Sequence, residues 1–147
     1  MTAKRAGYSL AEIIIVVLIL GALAFIAAPR LNFGALYRKQ AHIVAKQIVT
    51  ELRRTRTIAI SNAASNPTGY TFRITGSTYQ IIDDSNSTTI SERTIDSHIN
   101  FGGGTEFSFG PLGNLRTGSS PMTVTYGSTT YTITVITGTG IVKCTGG

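Results

Sequence analysis

The sequence is poor in the residues that give small proteins covalent or metal-based stability. Its 147 residues include no tryptophan and only one cysteine, Cys144, so no disulfide can form within the chain. A single thiol also excludes a metal site built on thiolates. Folding therefore has to rest on packing, and hydrophobic residues, at 42% of the chain, are numerous enough for one domain with a core.

Charge is also scarce, at 14% of residues, and the net charge of +6 is unevenly distributed. Seven Lys and Arg residues lie between Arg30 and Arg56, against one acid, Glu51. From Thr57 to the C-terminus, four basic residues face five acidic ones. The positive charge thus lies close to the N-terminal apolar segment, and the near-neutral C-terminal part argues against nucleic acid as a partner.

Residues suited to catalysis or to cofactor binding are few and scattered. His42 and His98 are interpreted as surface or interface residues, and Gly102–Gly104 is not followed by the Gly-Lys-Ser/Thr of a phosphate-binding loop. The acidic stretch 83–86 lacks the glycine and the terminal glutamate of an EF-hand loop. We therefore predict no catalytic residue, no metal site and no cofactor, and a protein that is not an enzyme.

One long apolar run stands near the N-terminus. Ile13 to Ala28 contains sixteen residues without a charge, and the segment counted from Tyr8 reaches twenty-one. As a helix, this segment would be about 31 Å long, which is enough for the hydrocarbon core of a bilayer. Glu12 opens the run, although a charged residue in a membrane helix costs up to about 3 kcal/mol. We therefore treat Glu12 as a functional residue that needs a positively charged partner.

Two ordinary interpretations of this segment leave Glu12 without a role. A secretory signal would use Lys4 and Arg5 as its basic region and residues 22–24 (Ala-Leu-Ala) as its cleavage site. A plain single-span anchor would use the apolar run alone. Neither segment has any use for a carboxylate at its start.

A third interpretation follows from a resemblance to the class III leader of type IV pilins and type II secretion pseudopilins. The chain has the basic leader Lys4-Arg5-Ala6-Gly7, then Tyr8-Ser9-Leu10-Ala11-Glu12, then the apolar run. The resemblance implies that prepilin peptidase cuts after Gly7 and methylates the new amine of Tyr8, a position where the family mostly has Phe. It also implies that Glu12 pairs with such an amine, in its own chain or in a neighbouring subunit of a filament.

Two further residues match pilin helices. Gly21 and Pro29 fall where those helices carry a Gly and a Pro that bound a stretch able to melt in filaments. Because Pro29 lacks an N–H group and clashes with the preceding turn, it predicts a kink near residues 25–29. The alternative is that the proline simply ends the membrane helix.

An apolar stripe of helical period follows the proline. Its members recur every three or four residues: Tyr37, Ala41, Val44, Ile48, Leu52, Thr55 and Ala59. A basic series of period seven lies off the stripe: Lys39, Lys46 and Arg53. We predict one long helix from about Leu10 to about Ala64, kinked near Pro29, whose second half packs on a head domain. Arg30, nearest the apolar run, is a candidate for contact with lipid phosphates.

From Gly69 onward the hydrophobic period changes to two, which is typical of half-buried strands. Alternation predicts strands over 70–75 and 78–83, around Phe107 and Phe109, and over 122–126 and 131–135, with weaker strands over 88–95 and 98–101 and a last one near 141–143. The predicted class is therefore α+β, with a long N-terminal helix packed on an antiparallel β head of two small sheets.

The head resembles the GspH/FimT family of minor pseudopilins. The matching features are Leu52, Thr55-Arg56 and Ala59-Ile60 on the helix, the Phe-containing strand and Pro-x-Gly turn over Phe107–Gly113, and a last strand after Gly140. The resemblance implies four parts: a leader (1–7), a transmembrane and assembly helix (8–29), an amphipathic helix (30–66) and a β-rich head (67–147).

The resemblance also implies a function and a location. The protein is expected to be a structural subunit of a type II secretion pseudopilus or a type IV pilus. It would cross the bacterial inner membrane once, with its head in the periplasm or, within a filament, at the cell surface. Its expected partners are prepilin peptidase, other pilins or pseudopilins, and membrane lipid.

An alternative function is DNA binding during natural transformation. Some FimT-type pilins bind DNA through a Gly-Arg-x-Arg/Lys run, and here the corresponding residues read Gly140-Ile141-Val142-Lys143. Ile141 replaces the arginine, so Lys143 alone is left as a candidate contact.

Overall fold

The computed structural model describes residues 8–27, 33–118 and 120–147, which form an α+β fold of two helices and nine strands. Helix α1 spans Leu10–Ala27 and helix α2 spans Phe33–Ser61. The chain divides into two compact units, one ending at Phe33 and one running from Gly34 to Gly147. The second unit contains both sheets and is called the head below.

The prediction of one long helix is wrong. Two separate helices are present, because α1 ends at Ala27 and α2 begins only at Phe33. The sequence between the two helices contains a proline, a residue that disfavours helical geometry in the residue before it and lacks a backbone donor. The predicted kink residue, Pro29, lies outside the described residues. Helix α2 also ends at Ser61, three residues before the predicted end.

Helix α1 is shorter than the segment from which membrane insertion was predicted. It has 18 residues and is thus about 27 Å long. Among the residues that the structure describes, no helix combines the length and the apolar character needed to cross a membrane.

Helix α2 buries the predicted apolar stripe. Ala41, Ile48, Leu52, Thr55 and Ala59 are fully buried and Val44 nearly so, whereas Tyr37 remains 42% exposed. The three members of the basic series all lie on the exposed side of the helix: Lys39, Lys46 and Arg53. A helix with an apolar stripe on one side and cations on the other packs with the stripe inward.

The head contains two antiparallel sheets, as predicted. The strands are β1 (Tyr70–Thr75), β2 (Thr78–Asp83), β3 (Thr88–Thr94), β4 (Asn100–Gly103), β5 (Glu106–Phe109), β6 (Leu115–Gly118), β7 (Met122–Tyr126), β8 (Thr129–Val135) and β9 (Val142–Gly146). Sheet A has the order β3-β2-β1-β5-β6, and sheet B has the order β4-β7-β8-β9. The sequence did not predict strand β6, because its four residues show no alternation of hydrophobic and polar side chains. Its backbone pairing with β5 defines it as a strand.

The core of the head lies between α2 and the inner faces of both sheets. Sheet A contributes Phe72, Tyr79, Ile81, Phe107 and Phe109, and sheet B contributes Met122, Val124 and Ile133, all of them fully buried. Burial of one such side chain stabilises the fold by about 1.5–3 kcal/mol relative to its exposure. The side-chain amide of Gln47 donates a hydrogen bond to the hydroxyl of Tyr79 at 3.0 Å, which joins α2 to sheet A.

Candidate functional site

The start of α1 carries the residues that the sequence singled out. Tyr8 is 81% exposed, and Glu12, also exposed, is the one charged residue of the helix. The two residues are four positions apart, and together with Ile13, Val16 and Val17 they line a shallow surface depression. Residues four apart on a helix lie on the same face, so the backbone amine of a chain beginning at Tyr8 would start one turn from the carboxylate of Glu12.

A local signal at this helix start was missed in the sequence. Ser9-Leu10-Ala11-Glu12 has the Ser-x-x-Glu pattern of a capping box. The side-chain oxygen of Ser9 accepts a hydrogen bond from the backbone N–H of Glu12 at 3.2 Å. An acid in the first turn also interacts favourably with the helix dipole. Ser9 therefore caps the helix, and the carboxylate of Glu12 favours its first turn through the dipole.

The rest of α1 is apolar on all its sides. Its large side chains from Ile13 to Leu20 are each exposed by half or more, as are those of Leu23, Phe25 and Ile26. These exposed apolar side chains occur on every side of the helix. A methyl group added at Gly21 would meet nothing within 4 Å, so no packing contact in the structure requires glycine there.

The remaining predicted site residues either lie in the head or are not described by the structure. Gly7, Pro29 and Arg30 lie outside the described residues. Lys143 is exposed on edge strand β9, where its backbone pairs with that of Thr134. The structure thus places Tyr8 and Glu12 together, and Lys143 belongs to the head.

Arg56 joins two turns of the head. The resemblance to the GspH/FimT family did not predict that these turns lie side by side. Its Nε atom donates hydrogen bonds to the carbonyl oxygens of Gly113 at 3.0 Å and Thr139 at 3.1 Å. Gly113 and Gly140 both have positive φ values, of 75° and 66°. A Cβ atom at Gly140 would overlap the carbonyl oxygen of Gly113. The Pro-x-Gly turn and the turn before the last strand therefore meet at the guanidinium of Arg56.

A second polar cluster lies beyond the end of α2. The side-chain amide of Asn66 is buried and donates hydrogen bonds to the carbonyl oxygen of Gly69 at 2.8 Å and to Asp83 at 2.7 Å. Asp83 also accepts from the hydroxyl and the backbone N–H of Ser85. These hydrogen bonds, led by the one from the Ser85 hydroxyl, hold the pKa of Asp83 below its ordinary value. The carboxylate thus fastens the β2–β3 turn to the segment that follows α2.

The acidic stretch 83–86 also contributes to packing of the sheet. Asp84 accepts hydrogen bonds from the hydroxyls of Thr71 at 2.9 Å and Ser108 at 3.1 Å. Within the described ranges, no group of three or more His, Cys, Asp or Glu residues is arranged to hold a metal ion. The hydrogen bonds account for these carboxylates as structural groups.

The two histidines lie against aromatic rings. The His42 ring is 5.4 Å from that of Tyr131, and the His98 ring is 6.2 Å from that of Tyr126. His98 also contacts Asp96, with Nδ1 2.7 Å from a carboxylate oxygen. The hydrogen bond from the backbone N–H of His98 is the main reason that the pKa of Asp96 is lowered. Both histidines thus have structural contacts on the surface of the head.

No family model, curated protein or solved structure matches the chain. The function proposed below therefore rests on the residues of the chain itself.

Proposed function

We propose that the protein is a minor pilin or pseudopilin of the GspH/FimT type, a structural subunit of a type II secretion pseudopilus or a type IV pilus. Prepilin peptidase cuts the chain after Gly7 and methylates Tyr8. The mature subunit then enters a filament through helix α1. The head remains outside the apolar part of the filament.

The observation that carries this proposal is a lone acid, Glu12, one turn after Tyr8 at the start of an all-apolar helix. A carboxylate among apolar side chains is costly unless a cation pairs with it. Cleavage after Gly7 would create that cation, because it exposes the backbone amine of Tyr8. An export signal or a simple anchor would leave Glu12 unpaired.

The separate core of the head supports the same proposal. The buried hydrophobic residues that form this core lie between Ala41 and Val142. The apolar side chains of α1, in contrast, are exposed, so they are available for lipid before assembly and for other α1 helices afterwards. This arrangement suits a subunit that is stored in a membrane and polymerises through its N-terminal helix.

The proposal includes a location and a set of partners. Before assembly, the subunit crosses the bacterial inner membrane once through the segment 8–29, with its head in the periplasm. In a filament, the head lies in the periplasm or at the cell surface. The partners are prepilin peptidase, other pilins or pseudopilins, and inner-membrane lipid, with Arg30 next to the lipid phosphates. Gly21 and Pro29 bound a stretch of the helix that can melt in a filament, because glycine weakens a helix and proline removes one of its hydrogen bonds.

Mass spectrometry of the N-terminus tests this proposal directly. The full chain is expressed with a prepilin peptidase in a bacterial host, and the mature protein is purified from membranes. We expect a chain that begins with N-methyl-Tyr8, and a Gly7→Glu variant that keeps its leader because the peptidase requires a small residue there. A mature chain that begins near Phe25 would indicate a secretory signal instead, and an intact Met1 would indicate a plain anchor.

A further inference from the structure

The charged side chains of the head are sorted onto opposite sides. Helix α2 buries its apolar stripe against both sheets, since Gln47 reaches Tyr79 of sheet A and Arg53 reaches Val142 of sheet B. The outer side of the helix carries four exposed cations that form no ion pair among the described residues, and we call them the cationic face: Arg38, Lys39, Lys46 and Arg53. Lys39, Lys46 and Arg53 are seven residues apart, so they form a row about 21 Å long.

The opposite side of the head is the outer face of sheet A. Because Phe72 and Ile74 point to the core, Arg73 between them on β1 points outward. In the pairing register, Arg73 lies beside Glu106 on β5 and beside Gln80 on β2, and Gln80 lies beside Glu92 on β3. With Asp84, which binds the outward hydroxyls of Thr71 and Ser108, these carboxylates form what we call the acidic face: Asp84, Glu92 and Glu106.

The charges on each face are only partly neutralised within the chain. On the acidic face, Arg73 forms an ion pair with Glu106 at 2.8 Å. The other two carboxylates, Asp84 and Glu92, accept hydrogen bonds from uncharged side chains. The ion pairs found among the described residues do not include any member of the cationic face. Arg53 donates to the carbonyl oxygen of Val142, which leaves its charge uncompensated. The head is therefore positive on one side and negative on the other.

We propose that the cationic face of one copy docks on the acidic face of a second copy, with Lys46 and Glu92 within the contact. A contact between different faces is heterologous, so it joins two copies and leaves one face free at each end. The inference rests on the proposed function, since α1 assembly is what would bring successive heads together. An anionic lipid surface or a nucleic acid would use the cationic face alone, whereas a second copy uses both faces.

The first experiment measures salt-dependent self-association of the full chain. A Cys144→Ser variant in non-ionic detergent avoids disulfide-linked dimers, and sedimentation velocity reports the association constant. Contacts between apolar α1 helices do not weaken with salt, whereas contacts between charged faces do, because the screening length falls from about 10 Å at 0.1 M to about 3 Å at 1 M salt. We expect the association constant to fall about tenfold over this range. Association that does not change with salt would overturn the proposal.

The second experiment uses charge reversals with a matched control. Lys46→Glu and Glu92→Lys should each weaken association about tenfold at low salt. Lys143→Glu makes the same charge change on β9, next to the Val142 carbonyl that Arg53 contacts, and should weaken association much less than Lys46→Glu. An equimolar mixture of the Lys46→Glu and Glu92→Lys proteins should recover wild-type affinity, because the first retains the acidic face and the second retains the cationic face. Equal losses for Lys46→Glu and Lys143→Glu, or no recovery in the mixture, would overturn the docking.

Two readouts separate this inference from the proposed function. Vesicles with anionic lipid and duplex DNA are tested with the same variants. Suppose that Lys46→Glu loses binding to the vesicles or the DNA, that Glu92→Lys keeps it, and that the protein does not self-associate. The cationic face would then be assigned to that anionic ligand, and the docking would be overturned. N-terminal processing is measured separately by mass spectrometry. An unprocessed chain that still shows charge-dependent association would refute the pilin proposal alone, whereas N-methyl-Tyr8 without association would refute the docking alone.

Discussion

Substitution of Glu12 offers a sharp test of the pilin proposal, because the structure separates two roles for this residue. Its first role is local. The backbone N–H of Glu12 donates to the Ser9 side chain at 3.2 Å, within a Ser-x-x-Glu capping box. The Glu12 atom that binds Ser9 is a backbone N–H, so Glu12→Ala and Glu12→Gln both keep this hydrogen bond. Loss of the N-cap side chain costs about 1 kcal/mol, and this cost therefore falls on Ser9→Ala.

The second role is the ion pair with the amine of Tyr8. Removing one partner of a buried ion pair costs about 3–5 kcal/mol, since the other charge is left alone. Glutamine and alanine both remove the carboxylate, so this role predicts an equal loss for the two variants. A loss of 3–5 kcal/mol corresponds to a decrease of about 150- to 5,000-fold in subunit incorporation. This is well above the capping effect, and the two roles can therefore be told apart.

The assay compares wild type, Glu12→Gln, Glu12→Ala and the cap variant Ser9→Ala in cells that assemble filaments. Sheared filaments are quantified by immunoblotting, and N-terminal mass spectrometry confirms that each chain is cleaved after Gly7. We expect both Glu12 variants to be cleaved and left in the membrane, and Ser9→Ala to be incorporated at a moderately reduced level. If Glu12→Gln enters filaments at the wild-type level, the ion-pair argument is refuted and only the local role remains.

Other predictions concern the head and α1. Gly140→Ala should lower the free energy of unfolding by about 2–4 kcal/mol in denaturant titrations, because alanine disfavours positive φ and its Cβ overlaps the Gly113 carbonyl; an unchanged midpoint would contradict this packing. Arg56→Met should cost about 1–3 kcal/mol in the same titration by leaving two carbonyl oxygens without their donor. Because folding lowers the pKa of Asp83, its contribution is present above the ordinary value near 3.8 and is lost as the pH falls through the folded-state pKa. The melting temperature should therefore be higher for wild type than for Asp83→Asn at pH 7, with the difference vanishing in acid. Gly21→Ala should raise the helix content of an isolated α1 peptide in detergent by circular dichroism, since alanine is favoured by about 1 kcal/mol and meets no atom there.

Several features of the head could be predicted because they depend on neighbouring residues in the chain. The buried stripe of α2 follows from the spacing of its apolar residues, and the strand pair β1–β2 follows from alternation on either side of Gly76-Ser77. The start of α1 is similarly marked by Ser9 and Glu12, although the capping pattern was recognised only once the helix boundary was known. Strand β6 and the limits of β9 could not be predicted, since backbone pairing with another strand defines them.

Sequence by itself therefore determined the apolar helix with its single acid, the inward side of α2 and the division of the head into antiparallel strands. Periodicity and helix caps act over a few residues, and that is why they can be read directly. Tertiary structure alone decided that Arg56 meets Gly113 and Thr139, which are 57 and 83 residues away. It also decided that cations and carboxylates lie on opposite sides of the head, because the faces on which they lie depend on strand register and on where α2 packs.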